Sequence, residues 1–255
     1  MRLHLASIEK SGTNYFRVCL FNYLCHLQGD MSLKTYDDMT AAFPNVVQKG
    51  VIGDAPARSD LLPAPYTDFV YGHRPKAVPN DPLFSRAVAL VRNPLDQTIS
   101  HWHYAHVRRS TGITLDEFAP ENLVAFKKKF SQIKRLSENF GTPILHYEDL
   151  TENPTDTFRE AFLHYKLPID SSAIKLAVDH ASIKNARAFE DKHGYMHVSD
   201  VRKRRPGSRA RFVRDGSIGQ WRTHLPDGLK MVEAAGIDPS LFRFEATDQQ
   251  LLDSR

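Results

Sequence analysis

The chain has 255 residues, 41% of them hydrophobic and 25% charged, with a formal net charge of +4. This is the mix of a soluble globular protein long enough to bury one sizeable core. The longest apolar stretch, Tyr15–Leu27, is broken by Arg17 and Asn22 and is too short to cross a bilayer. The opening MRLHLASIEK lacks the form of a signal peptide. Cys19 and Cys25 fall on one predicted helix and point to different faces, which excludes a disulfide framework.

Residues 3–8 (LHLASI) read as a short apolar strand, and 14–27 as a helix. Between them lies Lys10-Ser11-Gly12-Thr13-Asn14-Tyr15. A strand, a glycine turn and a helix start make an anion site, because the first helix amides have no intrahelical partner and carry the positive end of the dipole. Gly12 lets backbone approach the anion, Lys10 adds a charge, and Ser11 and Thr13 add hydroxyls. The lysine precedes the glycine and no glycine lies upstream, so this is not the loop of a nucleotide triphosphatase. Taken alone, it is equally a solvated strand-to-helix turn.

Residues 41–82 hold seven prolines, which rules out long regular elements and suggests loops around a binding site. A strand is expected at 67–72 within this segment. Residues 87–91 are a continuous apolar run, the mark of a strand buried on both faces, and a strand is expected at 86–91. That run ends in Arg92-Asn93-Pro94-Leu95-Asp96. Asn93 suits a helix cap and Pro94 its first turn, so a helix is expected over 94–107. Arg92 stands at the C-terminal end of a parallel strand, where such sheets bind ligands, and a guanidinium grips phosphate in two places. The plain alternative is an ion pair between Arg92 and Asp96. His101, His103 and His106 lack the ligands to complete a metal site and read as surface or pocket histidines.

Further helices are expected at 121–139, 154–165, 171–178 and 226–235, with a strand at 142–147. Strands alternating with helices predict an α/β fold: one domain over 1–255, with a central parallel sheet flanked by helices. Arg202–Arg205 and Arg209, Arg211 and Arg214 form a basic stretch, followed by Gly216 and Gly219. Arg202–Arg205 reads as a solvated run. Residues 209–216 read as a basic lid, and nothing matches a nucleic-acid-binding module.

Five segments in this order resemble the family of sulfotransferases that use 3′-phosphoadenosine 5′-phosphosulfate (PAPS). KSGTNY resembles the loop for the donor's 5′-phosphosulfate, and VRNPLDQTISHWHY the strand and helix for its 3′-phosphate. FVRDGSIGQWRTHL resembles the glycine loop that closes over that phosphate. YGHRPKAVP resembles the segment with the catalytic histidine, and ILHYEDLTENP the strand and helix start beyond it. The resemblance implies a P-loop-like architecture. It implies that Lys10 contacts the leaving phosphate, that Ser11, Gly12, Thr13 and Asn14 supply loop donors, and that Tyr15 stacks on adenine. It assigns the 3′-phosphate to Arg92 and Ser100, a place near the adenine to Tyr147, and the start of the closing loop to Arg214 and Gly216. His73 is implied as general base. On this view 41–82 carries acceptor-site loops and 198–222 is the basic loop over the donor.

Some positions depart from the family pattern. Glu9 stands where a proline is usual, Gly72 replaces a lysine, Asp215 replaces a basic residue, and Ile183 replaces an aromatic. The family's short C-terminal dimer motif is not recognisable, so the oligomeric state stays open.

The implied reaction is in-line transfer of a sulfuryl group from PAPS to a hydroxyl or amine of a small-molecule or saccharide acceptor. It leaves adenosine 3′,5′-bisphosphate (PAP) and requires no metal. The start of the chain shows no membrane anchor, which favours the cytoplasm. Two other classes remain at this stage: a P-loop nucleotide or small-molecule kinase, and a catalytically inactive nucleotide-binding module of the same fold.

Overall fold

The computed structural model describes residues 1–48, 51–53, 55–75, 86–107, 111–193, 213–214 and 216–243. In strand β1 (Arg2–Ser7), Leu3, His4, Leu5, Ala6 and Ser7 are all buried. A strand with no wet face needs partners on both edges and cover on both sides. Burial pushes the His4 imidazole down to about 4, so it sits in the sheet as a neutral ring. Strand β1 accordingly lies inside a six-stranded sheet of order β3-β2-β4-β1-β5-β6. The other strands are β2 (Val46–Gln48), β3 (Val51–Ile52), β4 (Asp68–Gly72), β5 (Arg86–Val91) and β6 (Ile144–His146). All pairings are parallel except that of β2 with the edge strand β3.

The register places the site. Ala6 is opposite Gly72, Ser7 opposite Leu90, and Val91 opposite His146. Four parallel strands therefore end along one edge. The residues that follow them, Ile8–Lys10, His73, Arg92 and Tyr147, emerge side by side, where open α/β sheets bind ligands.

Alternation along β5 divides the core. Val88 and Leu90 join the cluster under α1 (Thr13–Leu27), α6 (Pro154–His164) and α7 (Ser171–His180). Ala89 and Val91 face the cluster under α3 (Pro94–Trp102), α4 (Leu115–Phe140) and α10 (Gly228–Ala234). In the first layer Phe16, Cys19, Leu20, Tyr23 and Leu24 repeat at helical spacing, and Tyr23 stacks on Phe162 with centroids 4.4 Å apart. Cys19 and Cys25 are both free and buried.

The strand at 86–91 and the helices from 14, 154 and 171 lie where the sequence puts them. Other bounds shift for local reasons. Helix α4 begins at Leu115 rather than 121, because Thr114 and Glu117 form a capping box that starts it ahead of Pro120. Helix α3 stops at Trp102, and His103–Val107 continue as a wider π turn. Tyr147 is not the end of β6 but the first residue of α5 (Tyr147–Glu152). Helices α2 (Tyr36–Ala42), α8 (Ile183–His193) and α9 (Trp221–His224) carry no sequence expectation. Strands β2 and β3 are too short to show a period. The basic run Arg202–Arg205, with Arg209, Arg211 and Asp215, lies outside the described residues. Among the described residues, no helix is long and apolar enough to cross a membrane.

Phe162 is fully buried between Tyr23 and Phe158. Phe162→Ala should lower unfolding free energy by about 3–5 kcal/mol, seen as a lower urea midpoint with an unchanged slope. A loss under about 1 kcal/mol would mean that the layer of α1, α6 and α7 repacks freely.

Candidate active site

The turn after β1 is bent by two left-handed residues, Lys10 at φ +65° and Gly12 at φ +93°. Gly12 precedes α1 and no side chain caps the helix, so the first amides are left for an outside acceptor. Lys10 extends beside this opening, with its ammonium 4.7 Å from the Tyr104 ring centroid. Glu9 also lines the cavity, but its charge is engaged. Its carboxylate pairs with Lys129 of α4, and its carbonyl accepts from Gln97 Nε2 at 2.8 Å. Burial opposes the charge on Glu9, but His73 and Lys129 outweigh it and hold the carboxyl below its ordinary range.

Tyr147 closes the other side of this turn. A Cβ on Gly12 would lie 2.6 Å from Tyr147 Cδ2, so only glycine fits beneath the ring. The Arg92 guanidinium lies over the same ring at 4.3 Å, and the Tyr147 hydroxyl donates to the Gly216 carbonyl at 2.8 Å. A Cβ on Gly216 would meet the Tyr147 hydroxyl at 2.9 Å and Ile183 Cδ1 at 3.0 Å. One ring thus touches the anion turn, the strand-end arginine and the glycine loop.

The glycine loop is pinned by several backbone contacts. Arg92 Nη2 donates to the Ser217 carbonyl at 2.7 Å. Asp96 accepts from the Gly219 amide at 2.6 Å and from the Trp221 amide at 3.1 Å. The expected alternative, Asp96 as the ion-pair partner of Arg92, gives way to this role, because both its oxygens serve loop amides. Helix α8 holds the start of the loop. Arg187 donates to the Arg214 carbonyl, and Glu190 accepts from the Val213 amide at 3.0 Å. Behind Arg92, Glu148 accepts from the Asn93 amide at 2.9 Å, and burial pushes its carboxyl up to about 7.

His73 emerges just past β4. Its Nδ1 is 3.0 Å from Ser7 Oγ, which is 2.9 Å from Thr13 Oγ1. A hydroxyl chain therefore links the histidine to the first residue of α1. Burial pulls the His73 pKa below its ordinary value, the Glu9 carboxylate pulls it up, and Lys129 and Lys10 add to the lowering. Gly72 precedes it with no room for a side chain, since a Cβ there would lie 2.9 Å from the Val47 Cβ and carbonyl.

A cavity of about 940 Å³ joins these parts. It is lined by Lys10, Gly12, Thr13, Asn14, Tyr15, His73, Arg92, Ser100, Tyr147, Arg214 and Gly216. Ser11 is the exception, buried with its hydroxyl unpartnered among the described residues. Tyr15 lines the cavity while its ring edges against Phe158 at 5.4 Å. The proline-rich segment contributes Val46, Tyr71 and His73 to the wall, and residues 33–36 and Arg17 extend it. Sequence reasoning missed Arg17, Tyr104 and Asp96 as site residues. For Arg17 a signal existed, a charge interrupting an apolar helix. His101 bonds Asn122 and His106 bonds Thr111, at 2.7 and 2.9 Å. Among the described residues, no group of histidine, cysteine and carboxylate side chains could hold a metal ion.

A parallel α/β sheet with an open helix N-terminus, a strand-end arginine and a glycine loop at one edge defines a binding domain for a phosphorylated ligand. The family profile described as sulfotransferase domain matches residues 2–235, and the chain belongs to that family. Among solved structures, it resembles a retinol dehydratase in complex with retinol and PAP, at 14% identity and a TM-score of 0.67, covering 92% of this chain and 79% of that one. It also resembles retinol dehydratase in complex with androsterone and inactive cofactor PAP, at 16% identity and a TM-score of 0.66, covering 92% and 78%. The mouse sulfotransferase SULT7A1 complexed with PAP aligns at 14% identity and a TM-score of 0.58, covering 92% and 82%. No curated protein matches the chain by sequence.

The packing under Tyr147 gives a graded expectation. Tyr147→Phe removes one hydrogen bond and should destabilise by about 1 kcal/mol. Gly12→Ala adds both a clash with the ring and a left-handed alanine, so it should cost at least 1–2 kcal/mol more, roughly the penalty for that backbone region alone. Urea midpoints of the two variants test this. A smaller loss for Gly12→Ala would mean that the ring moves aside without resistance.

Proposed function

We propose that the protein transfers the sulfuryl group of PAPS to a hydroxyl or amine of a small acceptor, with His73 as general base and Lys10 at the leaving phosphate. The observation that carries this reading is the single cavity in which the anion turn, Arg92 and His73 meet. The residues fit the donor. Arg92 Nε is buried with no partner among the described residues, although its Nη2 is engaged, so the side chain still has a donor to give. Arg92 and Ser100 would hold the 3′-phosphate, the turn from Lys10 to Asn14 the 5′-phosphosulfate, and Tyr15 and Tyr147 the nucleoside. Arg214 and Gly216 would close over it.

When bound, PAPS would supply an activated sulfuryl group: a bond from sulfur to the acceptor oxygen or nitrogen forms as the sulfur–oxygen bond to phosphate breaks, and PAP leaves. The remaining work is positioning and charge stabilisation. Lys10 and the open amides of α1 meet the charge that builds on the leaving oxygens. His73 Nε2 takes the acceptor proton, which requires Nδ1 to carry its own proton and donate it to Ser7 Oγ. Ser7 then donates onward to Thr13.

PAP should raise the melting temperature strongly and ATP with magnesium much less, since only PAP carries a 3′-phosphate for Arg92 and Ser100. Equal shifts would undercut the donor site. A labelled-PAPS screen across phenols, alcohols, amines and saccharides then reads the chemistry directly.

His73→Ala should keep the PAP shift and lose transfer by about 10²–10⁴-fold, the range for a lost general base. A histidine with a depressed pKa is already neutral below the usual value. The acid limb of kcat/KM should therefore lie below about 6.5. A limb at higher pH, or near-full activity in His73→Ala, would place the base elsewhere.

A further inference from the structure

Arg17 is the anomaly of the cavity wall. It stands in α1, one turn beyond Thr13, with only 2% of its surface exposed. A guanidinium cannot shed its charge, and a buried charge is costly unless it is paired. Yet no carboxylate pairs with it among the described residues. Its Cζ lies over the Tyr71 ring, 3.4 Å from the centroid, with Tyr36 farther off at 5.7 Å. Its two hydrogen bonds both leave from Nη1 and both are long: 3.4 Å to Asn14 Oδ1 and 3.5 Å to the Tyr36 hydroxyl. Nε has no partner. The edge of the guanidinium that carries Nε and Nη2 is thus left over, in a residue that lines the cavity. The nearby Lys34 differs, because its ammonium already pairs with Asp30.

We propose that Arg17 receives a carboxylate group of the acceptor, so that the compound sulfated here carries both a hydroxyl and a carboxylate. This rests on the donor reading above. Three features favour a carboxylate. The Tyr71 ring covers one face of the guanidinium, so an anion approaches in the plane, as a flat carboxylate does. Nη2 makes no hydrogen bond among the described residues, so it keeps N–H to give to a carboxylate oxygen, with the buried Nε beside it. A single cation in a dry wall balances one negative charge and would leave a phosphate dianion undercompensated.

Position sets the shape of the acceptor. Tyr71 and His73 both line the cavity and are two residues apart, a spacing of about 7 Å in extended chain. A hydroxyl at His73 and a carboxylate at Arg17 are then about a benzene ring apart.

The test is calorimetric binding of 4-hydroxybenzoate and 4-hydroxyphenylacetate, each against its methyl ester, with and without saturating PAP. At least one acid should bind the wild-type protein about tenfold or more tighter than its ester. Arg17→Met keeps the stem and removes the fork, and should erase that preference while leaving PAP affinity unchanged. Arg17→Lys keeps the charge without the paired donors and should retain part of it, which covers the case in which Arg17→Met does not fold. Equal binding of acid and ester, or binding of neither, in a protein that PAP still stabilises overturns the proposal. So does an Arg17→Met variant that weakens acid and ester alike, which makes the residue structural, or one that loses PAP affinity, which makes it a donor contact. A wild-type protein that PAP does not stabilise would sink the donor reading instead, and the acid-over-ester comparison without PAP still decides for Arg17.

Discussion

The Tyr147 ring is wedged between Gly12, Arg92 and Gly216, and none of these can shift without disturbing the others. The wedge couples three parts of the chain that are remote in sequence. Gly12 sets the turn into α1, Arg92 follows a central strand, and Gly216 belongs to the glycine loop. Each contact is ordinary: a ring on a glycine, a cation on a ring face, a hydroxyl on a carbonyl. Sharing one side chain makes them a unit. The coupling depends on Tyr147 following β6 directly, which the parallel register beside Val91 ensures.

Charge is handled around this wedge in a consistent way. Acidic groups near the anion turn are occupied elsewhere: Glu9 by Lys129, and Asp96 by the amides of Gly219 and Trp221. Glu148 is brought close to neutrality by burial. The cations that line the cavity are treated differently. Arg92 keeps an unpaired Nε, and Arg17 rests on tyrosines rather than on an acid. The cavity lining thus holds more cationic than acidic side chains, although the chain as a whole carries only a modest net charge. That pattern suits a ligand bearing several negative charges.

Much of this was legible in the chain. A run such as Ala87–Val91 has to be buried on both faces, and the glycine turn at Gly12 and the arginine after Val91 then follow from where parallel strands end. Cavity residues in short motifs were legible because their chemistry depends on immediate neighbours. What stayed hidden depends on contacts between distant segments. Asp96 looked like an ion-pair partner because the amides it holds, Gly219 and Trp221, are more than a hundred residues away. Strands β2 and β3 exist only because β4 offers an edge. Helix α8 is too polar to announce itself by period, and it matters through Arg187 and Glu190, which reach across to the loop. Gly72 looked like a missing lysine and is instead a position where the Val47 backbone leaves no room.

The link from His73 through Ser7 to Thr13 has a directional consequence. Each hydroxyl in such a file can donate only one proton, so unless Ser7 turns its proton to the more distant Gly72 carbonyl at 3.5 Å, all its members point the same way. Two orientations are open: protons pointing from the imidazole toward the helix, or from the helix toward the imidazole. Only the first leaves Nε2 with a lone pair. An anion resting on the amides of α1 also draws the Thr13 hydroxyl proton outward, which turns the Thr13 oxygen into an acceptor for Ser7 and selects that first orientation. On the proposed reading, the imidazole would then be set to accept a proton when an anion is in place. With the loop empty, the file is free to run backward and leave the wrong nitrogen exposed. Binding at one end of two hydroxyls would thereby govern the tautomer at the other, without any movement of the backbone.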